Sequence, residues 1–278
     1  MSNAALLPLL AVFGLVVGSF LNVVIVRVPS GGSVVRPASK CPLCEAEIRP
    51  RDNIPVLSWV LLRGRCRSCG EPIPVGYPLV EAGNAVLWVA AGLRFEATWE
   101  VVPYAVFFSV LLALSVIDLE LYILPNKITY PSVLVSLVAV VPLSYLAVDK
   151  PGRAILGAVI GGVGYALFLG ITLIAYELIV HKEGMGMGDV KLAALLGIWV
   201  GWIDPLLVLY ALIAASVIGL VVGAGILIVR RASQPYPFGP WLAVGAVVVI
   251  LASRPILDRA LPDDPVSTRV SSGQEVGR

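Results

Sequence analysis

Four cysteines stand in two pairs, Cys41-Pro-Leu-Cys44 and Cys66-Arg-Ser-Cys69, with 21 residues between them. Two knuckles of thiolates at this spacing suit a tetrahedral zinc ion. A four-thiolate shell leaves no open position for a substrate, so the expected zinc is structural. Two disulfides are the alternative, and they require an oxidising compartment. Gly64 and Gly70 flank the second pair, where tight knuckle turns are expected. The second constellation is acidic. Asp118 closes the apolar run 107–118, and Asp189 ends Gly184-Met185-Gly186-Met187-Gly188-Asp189, a GxGD pattern built on Gly186 and Gly188. Two carboxylates brought close cannot both ionise cheaply and therefore share a proton. The charged one would take a proton from water and the neutral one would donate to a peptide carbonyl. Such a pair titrates as a unit, so neither role attaches to one residue. The alternative is that each aspartate simply ends a helix at a membrane interface.

Other chemistries find less support. His181, the only histidine, sits beside Lys182 and four residues after Glu177, and reads as an interfacial residue. The chain has no GxSxG elbow for a serine nucleophile and no GxxxxGK[ST] loop for a nucleotide. Lys191, two residues after Asp189, either steadies developing charge or anchors the helix on the positive side of the membrane.

The elements that must position these residues are apolar helices. Hydrophobic residues make up 58% of the 278 positions and charged ones 14%, against about 25% charged in soluble chains. The reading is an all-α polytopic membrane protein of about eight transmembrane helices, at 5–26, 78–94, 101–119, 128–147, 154–180, 188–203, 205–229 and 239–253. The last-but-two, from residue 190, is short for a full span, so the Gly-rich segment before it is expected to enter the membrane against protein or a water cavity. Divided by role, residues 1–27 form the first helix, 28–77 a polar cysteine loop, 78–100 the second helix and outer loop, 101–253 a membrane core with both aspartates, and 254–278 a polar tail, disordered from residue 261. Residues 1–4 carry no basic residue and no small-residue cleavage site follows the first apolar run, so it reads as a retained helix.

Lys and Arg set the orientation. With the N-terminus outside, thirteen fall in inner loops, eight of them between Arg27 and Arg67, and seven fall outside. That bias puts the cysteine loop in the cytosol. Asn22, Glu81, Asn84, Asp118, Asn126, Glu177 and Asp189 then fall toward cytosolic helix ends, as one polar layer. Gly157/Gly161, Gly197/Gly201 and Gly219/Gly223 have the spacing of close helix contacts. A net charge of +2 without a basic, aromatic-laced patch argues against a nucleic-acid partner.

Several stretches together resemble the type IV prepilin peptidases. Gly18-Ser19-Phe20-Leu21-Asn22-Val23-Val24 is similar to that family's first-helix signature, and the two cysteine pairs flank a similar loop, Arg49-Pro50-Arg51-Asp52-Asn53-Ile54-Pro55. Tyr77-Pro78-Leu79-Val80-Glu81, Ile117-Asp118 with Ile123-Leu124-Pro125-Asn126, the run from Lys182 to Leu192, and Tyr236-Pro237-Phe238-Gly239-Pro240 resemble its other motifs. The resemblance implies a bacterial inner-membrane aspartic endopeptidase with Asp118 and Asp189 as its catalytic pair. Its substrates would be prepilins of type IV pili and pseudopilins of type II secretion, cut after a glycine before a hydrophobic helix. The family often has a second aspartate where Asn126 stands, which argues against catalysis by that position. Members with the four-cysteine loop often also methylate the new N-terminus with S-adenosylmethionine. The motifs do not assign the methyl-donor site; Glu81 and Asn84, next to the loop, are candidates. Open alternatives are a peptidase without methyl transfer, a non-catalytic zinc-bearing scaffold or transporter, and a presenilin-type protease. A transporter would show repeated broken helices, and a presenilin-type protease would not need the cysteines.

Overall fold

A computed structural model describes residues 3–96, 98–181, 186–230 and 237–260. Ten α-helices follow in chain order: α1 (Asn3–Arg27), α2 (Leu57–Leu61), α3 (Gly76–Phe95), α4 (Val101–Leu121), α5 (Asn126–Ala147), α6 (Pro151–Val180), α7 (Met187–Ile203), α8 (Leu206–Arg230), α9 (Gly239–Leu251) and α10 (Ser253–Ala260). The chain divides into two compact units, residues 1–132 and 133–278. Lys182, Gly184 and Met185 of the Gly-rich run, Tyr236, and the tail from 261 lie outside the described residues.

Eight of these helices fall on the eight expected spans. By length and apolarity, α1, α4, α5, α6 and α8 qualify as membrane spans, and α9 with α10 makes a sixth if that pair, bent by 70°, counts as one. The other two fall short for identifiable reasons. α7 has 17 residues, roughly 26 Å against a hydrocarbon core of about 30 Å. α3 carries Glu81, Asn84 and Arg94 among its 20 residues.

In the first unit, α1 lies along α3 and touches α4. Glycines set the approach: a Cβ on Gly14 would stand 2.6 Å from the Ala85 Cα, and one on Gly18 would stand 2.7 Å from the Glu81 Cα. This Gly14/Gly18 pair has the same four-residue spacing as the pairs read from the sequence. Leu21, Ile25, Val80, Ala113 and Ile117 close the core between the three helices. Trp88 Nε1 donates to Ser109 Oγ at 2.8 Å, and Ser109 Oγ donates on to the Ala105 carbonyl, so a polar link crosses α3 and α4 without an unsatisfied group.

In the second unit, α6 and α7 form the longest contact. The glycines expected to pack do so against each other. A Cβ on Gly157 would lie 2.5 Å from the Gly201 oxygen, and one on Gly161 would run into the Gly197 carbonyl. Gly219, by contrast, meets the side chains of Phe238 and Trp241. Trp199 Nε1 donates to Ser136 Oγ at 2.9 Å and Trp202 Nε1 to Ser144 Oγ at 2.8 Å, tying α7 to α5.

Candidate functional site

The cysteine loop is built from two copies of one turn. In the first, Cys41 N–H donates to the Ala46 carbonyl and Glu45 N–H to the Cys41 carbonyl; in the second, Cys66 N–H donates to Glu71 and Gly70 N–H to Cys66. Short antiparallel bridges, Lys40 with Glu47 and Arg65 with Pro72, close each one. The residue after each pair has positive φ, 57° at Glu45 and 74° at Gly70. Gly70 therefore serves the second knuckle as the sequence suggests. Gly64 flanks its other side: its carbonyl accepts the Ile73 N–H at 2.7 Å, its own N–H donates to the Trp59 carbonyl, and its φ is 65°, where a Cβ would meet the Trp59 ring.

The knuckles bring all four Sγ atoms within 4.8 Å of one another. Cys41 and Cys69 are 3.9 Å apart and all four thiols are free. With zinc–sulfur bonds of about 2.3 Å, a tetrahedron has edges of roughly 3.8 Å, so the donor set fits zinc, and no disulfide is formed at these separations. The amides of Cys69 and Ser68 draw the Cys66 thiol down to about 7. For Cys69 the Glu71 amide acts in the lowering direction, but burial and the sulfurs of Cys44, Cys66 and Cys41 push it up to about 12. Crowded sulfurs that resist a shared negative charge are what a dication neutralises.

Around this centre the loop is knitted by polar contacts. Arg67 grips Asp52 with two of its three guanidinium nitrogens, Nη2 at 2.6 Å and Nε at 2.9 Å. Its hydrogen bonds and charge hold the Asp52 carboxyl below the usual range. Ile54 N–H donates to Ser58 Oγ, which donates to the Arg51 carbonyl. Trp59 Nε1 donates to the Ile73 carbonyl. A cavity of about 440 Å³ opens between the knuckles, residues 52–62 and the first turns of α3.

Glu81 lies at the α3 side of that cavity, 8% exposed. Its Oε2 accepts the Val56 N–H at 2.7 Å, and its Oε1 accepts Asn22 Nδ2 at 3.5 Å. Asn22 Nδ2 also donates to the Tyr77 carbonyl at 3.1 Å. So the first-helix signature and the Tyr77–Glu81 segment, 55 to 59 residues apart in sequence, are partners. Asn84 has a different place. It is fully buried, donates to the Gly14 carbonyl at 2.7 Å, and does not line the cavity.

Asp118 lies in the last turn of α4, 5% exposed, one residue after the core residue Ile117. Its carbonyl accepts the N–H of Tyr122, whose φ of 57° ends the helix. Asp189 lies in the first turn of α7, 7% exposed, its N–H donating to the Gly186 carbonyl. The positive end of the helix faces an acid there. Gly186 caps the helix and Gly188 lies within its first turn, so this part of the GxGD segment is helical. Asp118 belongs to the first unit and Asp189 to the second. Asn126 and Glu177 are exposed, Lys191 is half-buried, and His181 is exposed as the C-cap of α6. The polar layer is thus selective: Asn22, Glu81, Asn84, Asp118 and Asp189 are buried. Sequence reasoning missed Val56, Trp59 and the Asp52–Arg67 pair. The Arg-rich loop around them was the one available signal.

Residues 12–95 match the family model described as Bacterial Peptidase A24 N-terminal domain, and residues 105–224 match Type IV leader peptidase family. A prepilin leader peptidase/N-methyltransferase of Pseudomonas putida is 38% identical over 277 residues, 90% of this chain and 92% of the relative. One from Aeromonas hydrophila is 36% identical, covering 87% and 89%. One from Myxococcus xanthus is 42% identical over 234 residues, 82% of this chain and 66% of the relative. No solved structure matches the chain. With both family models matched in order and relatives aligned nearly end to end, this chain belongs to the type IV leader peptidase family.

Proposed function

We propose that the protein is a multi-pass inner-membrane aspartic endopeptidase that removes the leader from prepilins and pseudopilins at the cytosolic face, then methylates the new N-terminus. The observation that carries the peptidase reading is the burial of Asp118 and Asp189, 5% and 7% exposed, at the ends of apolar helices. Acids inside such helices are costly and are retained where they work. In this reading the two carboxylates share one proton. The ionised one accepts a proton from the attacking water, and the protonated one donates to the scissile carbonyl oxygen. Gly186 and Gly188 give backbone access beside Asp189, and Lys191 supports the site from one half-turn on. The eight helices that fall on the expected spans, α7 included, would all cross the membrane.

Cys41, Cys44, Cys66 and Cys69 would hold a zinc ion that folds the loop. The names of the relatives support methyl transfer from S-adenosylmethionine. The test is incubation of the purified protein with a prepilin and S-adenosylmethionine, read by intact mass. Leader loss and a gain of about 14 Da, one CH₂ unit, are scored separately. A product without leader or mass gain sinks the methyl-transfer half alone; an uncut prepilin sinks the whole reading.

A further inference from the structure

We propose that α2 is a membrane-interfacial helix: Leu57, Val60 and Leu61 sit among the acyl chains of the leaflet on the loop's side, and the arginines flanking the helix meet anionic headgroups. This rests on α1 crossing the membrane, for which it has the length and apolarity.

α2 is turned inside out for a helix in water. Its polar groups point inward. Ser58 is buried, its hydroxyl accepting the Ile54 N–H and donating to the Arg51 carbonyl, and Trp59 Nε1 donates to the Ile73 carbonyl. Leu57, Val60 and Leu61 face outward, 50%, 57% and 70% exposed. Leu57 stands three and four residues from the other two, so they are neighbours on the helix surface. Scattered exposed leucines are ordinary, but three in one patch on a five-residue helix call for an occupant.

Depth decides what that occupant is. The span of α1 ends at Arg27, whose guanidinium donates to the Ser33 and Pro37 carbonyls of the loop. Asn22 lies five residues inward of Arg27, about 7–8 Å along the helix. The Glu81 Cα packs deeper still, against Gly18. Asn22 and the Val56 N–H both donate to the Glu81 carboxylate, so α2 starts at the level of Asn22, inside the end of the span. Interfacial helices bury their apolar faces to a similar depth, about 5–10 Å.

The chain enters α2 through a strained turn. Val56 has φ 60° and ψ −49°, and the N–H of Leu57 bonds back to the Pro55 carbonyl at 2.6 Å. This is a three-residue γ-turn of the positive-φ kind, rare and strained, centred on a β-branched residue. Such conformations persist where surroundings over-determine them. Here the 2.7 Å bond from the Val56 N–H to Glu81 holds the turn and fixes α2 at its depth.

Charge selects lipid over another protein surface. Between residues 49 and 67 stand Arg49, Arg51, Arg63, Arg65 and Arg67, all exposed, against one acid, Asp52. An apolar patch flanked by cations suits a leaflet with anionic headgroups. A second copy of the same face would set arginine against arginine.

The test uses the full-length, zinc-loaded protein in vesicles of phosphatidylethanolamine and phosphatidylglycerol, with a nitroxide on Leu61→Cys. Zinc content after labelling shows that the knuckle thiols are intact, and a variant that loses zinc is replaced by Val60→Cys. Collisions with oxygen and with a water-soluble nickel chelate give the depth of the label. It should lie about 5–10 Å below the phosphates, whereas a label on Val35→Cys, exposed elsewhere in the loop, should sit in water. Vesicles of phosphatidylcholine alone should leave the Leu61 label shallower. A Leu61 label as accessible to nickel as the one at Val35 overturns the placement. So does a label shielded from both reagents, which a second copy or a protein segment would produce. A depth that is the same without anionic lipid overturns the role of the arginines. A label on Val16→Cys, exposed in the middle of α1, should read deep; if it reads aqueous, the α1 span itself has failed.

Discussion

At the scale of single residues, the two buried aspartates are not interchangeable with their amides. In the proposed mechanism the pair shares a proton that Asn could not carry, so Asp118→Asn and Asp189→Asn should each lower leader cleavage by roughly 10²–10⁴-fold. The double variant should be no worse than either single one, because the pair acts as a unit. Initial rates on one prepilin, with insertion checked by protease protection, measure this; near-normal cleavage by either single variant removes the two-aspartate mechanism. Asp52 makes a second residue-scale prediction. Its hydrogen bonds from Arg67 and the charges of Arg67, Arg51 and Arg49 hold its folded pKa below the ordinary aspartate value. A depressed acid stabilises the folded state above its unfolded pKa and loses that contribution as pH falls through the folded one. The melting-temperature gap between wild type and Asp52→Asn should therefore be constant from pH 7 to about 5 and begin to narrow below about pH 4. A gap that has not narrowed at all by pH 3 would show that Asp52 acts through shape rather than charge.

At the scale of elements, the loop and the glycine seams behave differently. The cysteine loop is polar, and its few apolar side chains cannot bury enough surface to fold it alone. Metal binding is then largely its folding energy. Cys41→Ser should lose zinc and most methylation and keep some cleavage, because Asp118 and Asp189 ride on helices outside the loop. Zinc quantification with the two-product mass assay reads both; equal, large losses of cleavage and methylation would make the loop a support for the whole enzyme. Between α6 and α7 the backbones touch at Gly161 and Gly197. A methyl group there must push two helices apart, so Gly161→Ala should cost about 1–3 kcal/mol. Gly164, on the same helix, has open space where its Cβ would lie. Gly164→Ala should be neutral or stabilising by up to about 1 kcal/mol. Thermal melts of the two variants in one detergent separate these cases, and equal shifts would mean the seam does not carry the contact.

At the scale of the whole molecule, the Lys and Arg distribution and the chemistry of the cysteines make one joint demand. Thiols that hold zinc need a reducing compartment, and the positive-inside bias would put the basic loop on the cytosolic side. A reporter fused after Arg67 should be active only as a cytosolic reporter, and one fused after Lys150 only as a periplasmic one. The reverse pattern would return the disulfide reading and separate the aspartates from a cytosolic leader. The two compact units do not coincide with the two family models: residues 105–132 of the first unit, with Asp118, already fall within the leader peptidase match, which runs on to residue 224.

What the sequence by itself determined is what local spacing and hydropathy encode. Two residues between paired cysteines make a knuckle, long apolar runs make helices, and an acid inside such a run is conspicuous. These need no knowledge of neighbours in space, so the helices and the four-cysteine cluster were legible in advance, and both aspartates stood out as candidates. Only the tertiary structure decided which polar residues share a role. Asn22 and Glu81 are partners across 59 residues, while Asn84, three positions from Glu81, turns to Gly14 instead. The positive φ of the first knuckle falls on Glu45, and Gly64 ends α2. The γ-turn at Val56 has no signature in its own residues, because Val disfavours that conformation. It exists because a carboxylate from another helix holds its amide. A hydrogen bond between distant segments is specified by the packing of both, and no single segment encodes it.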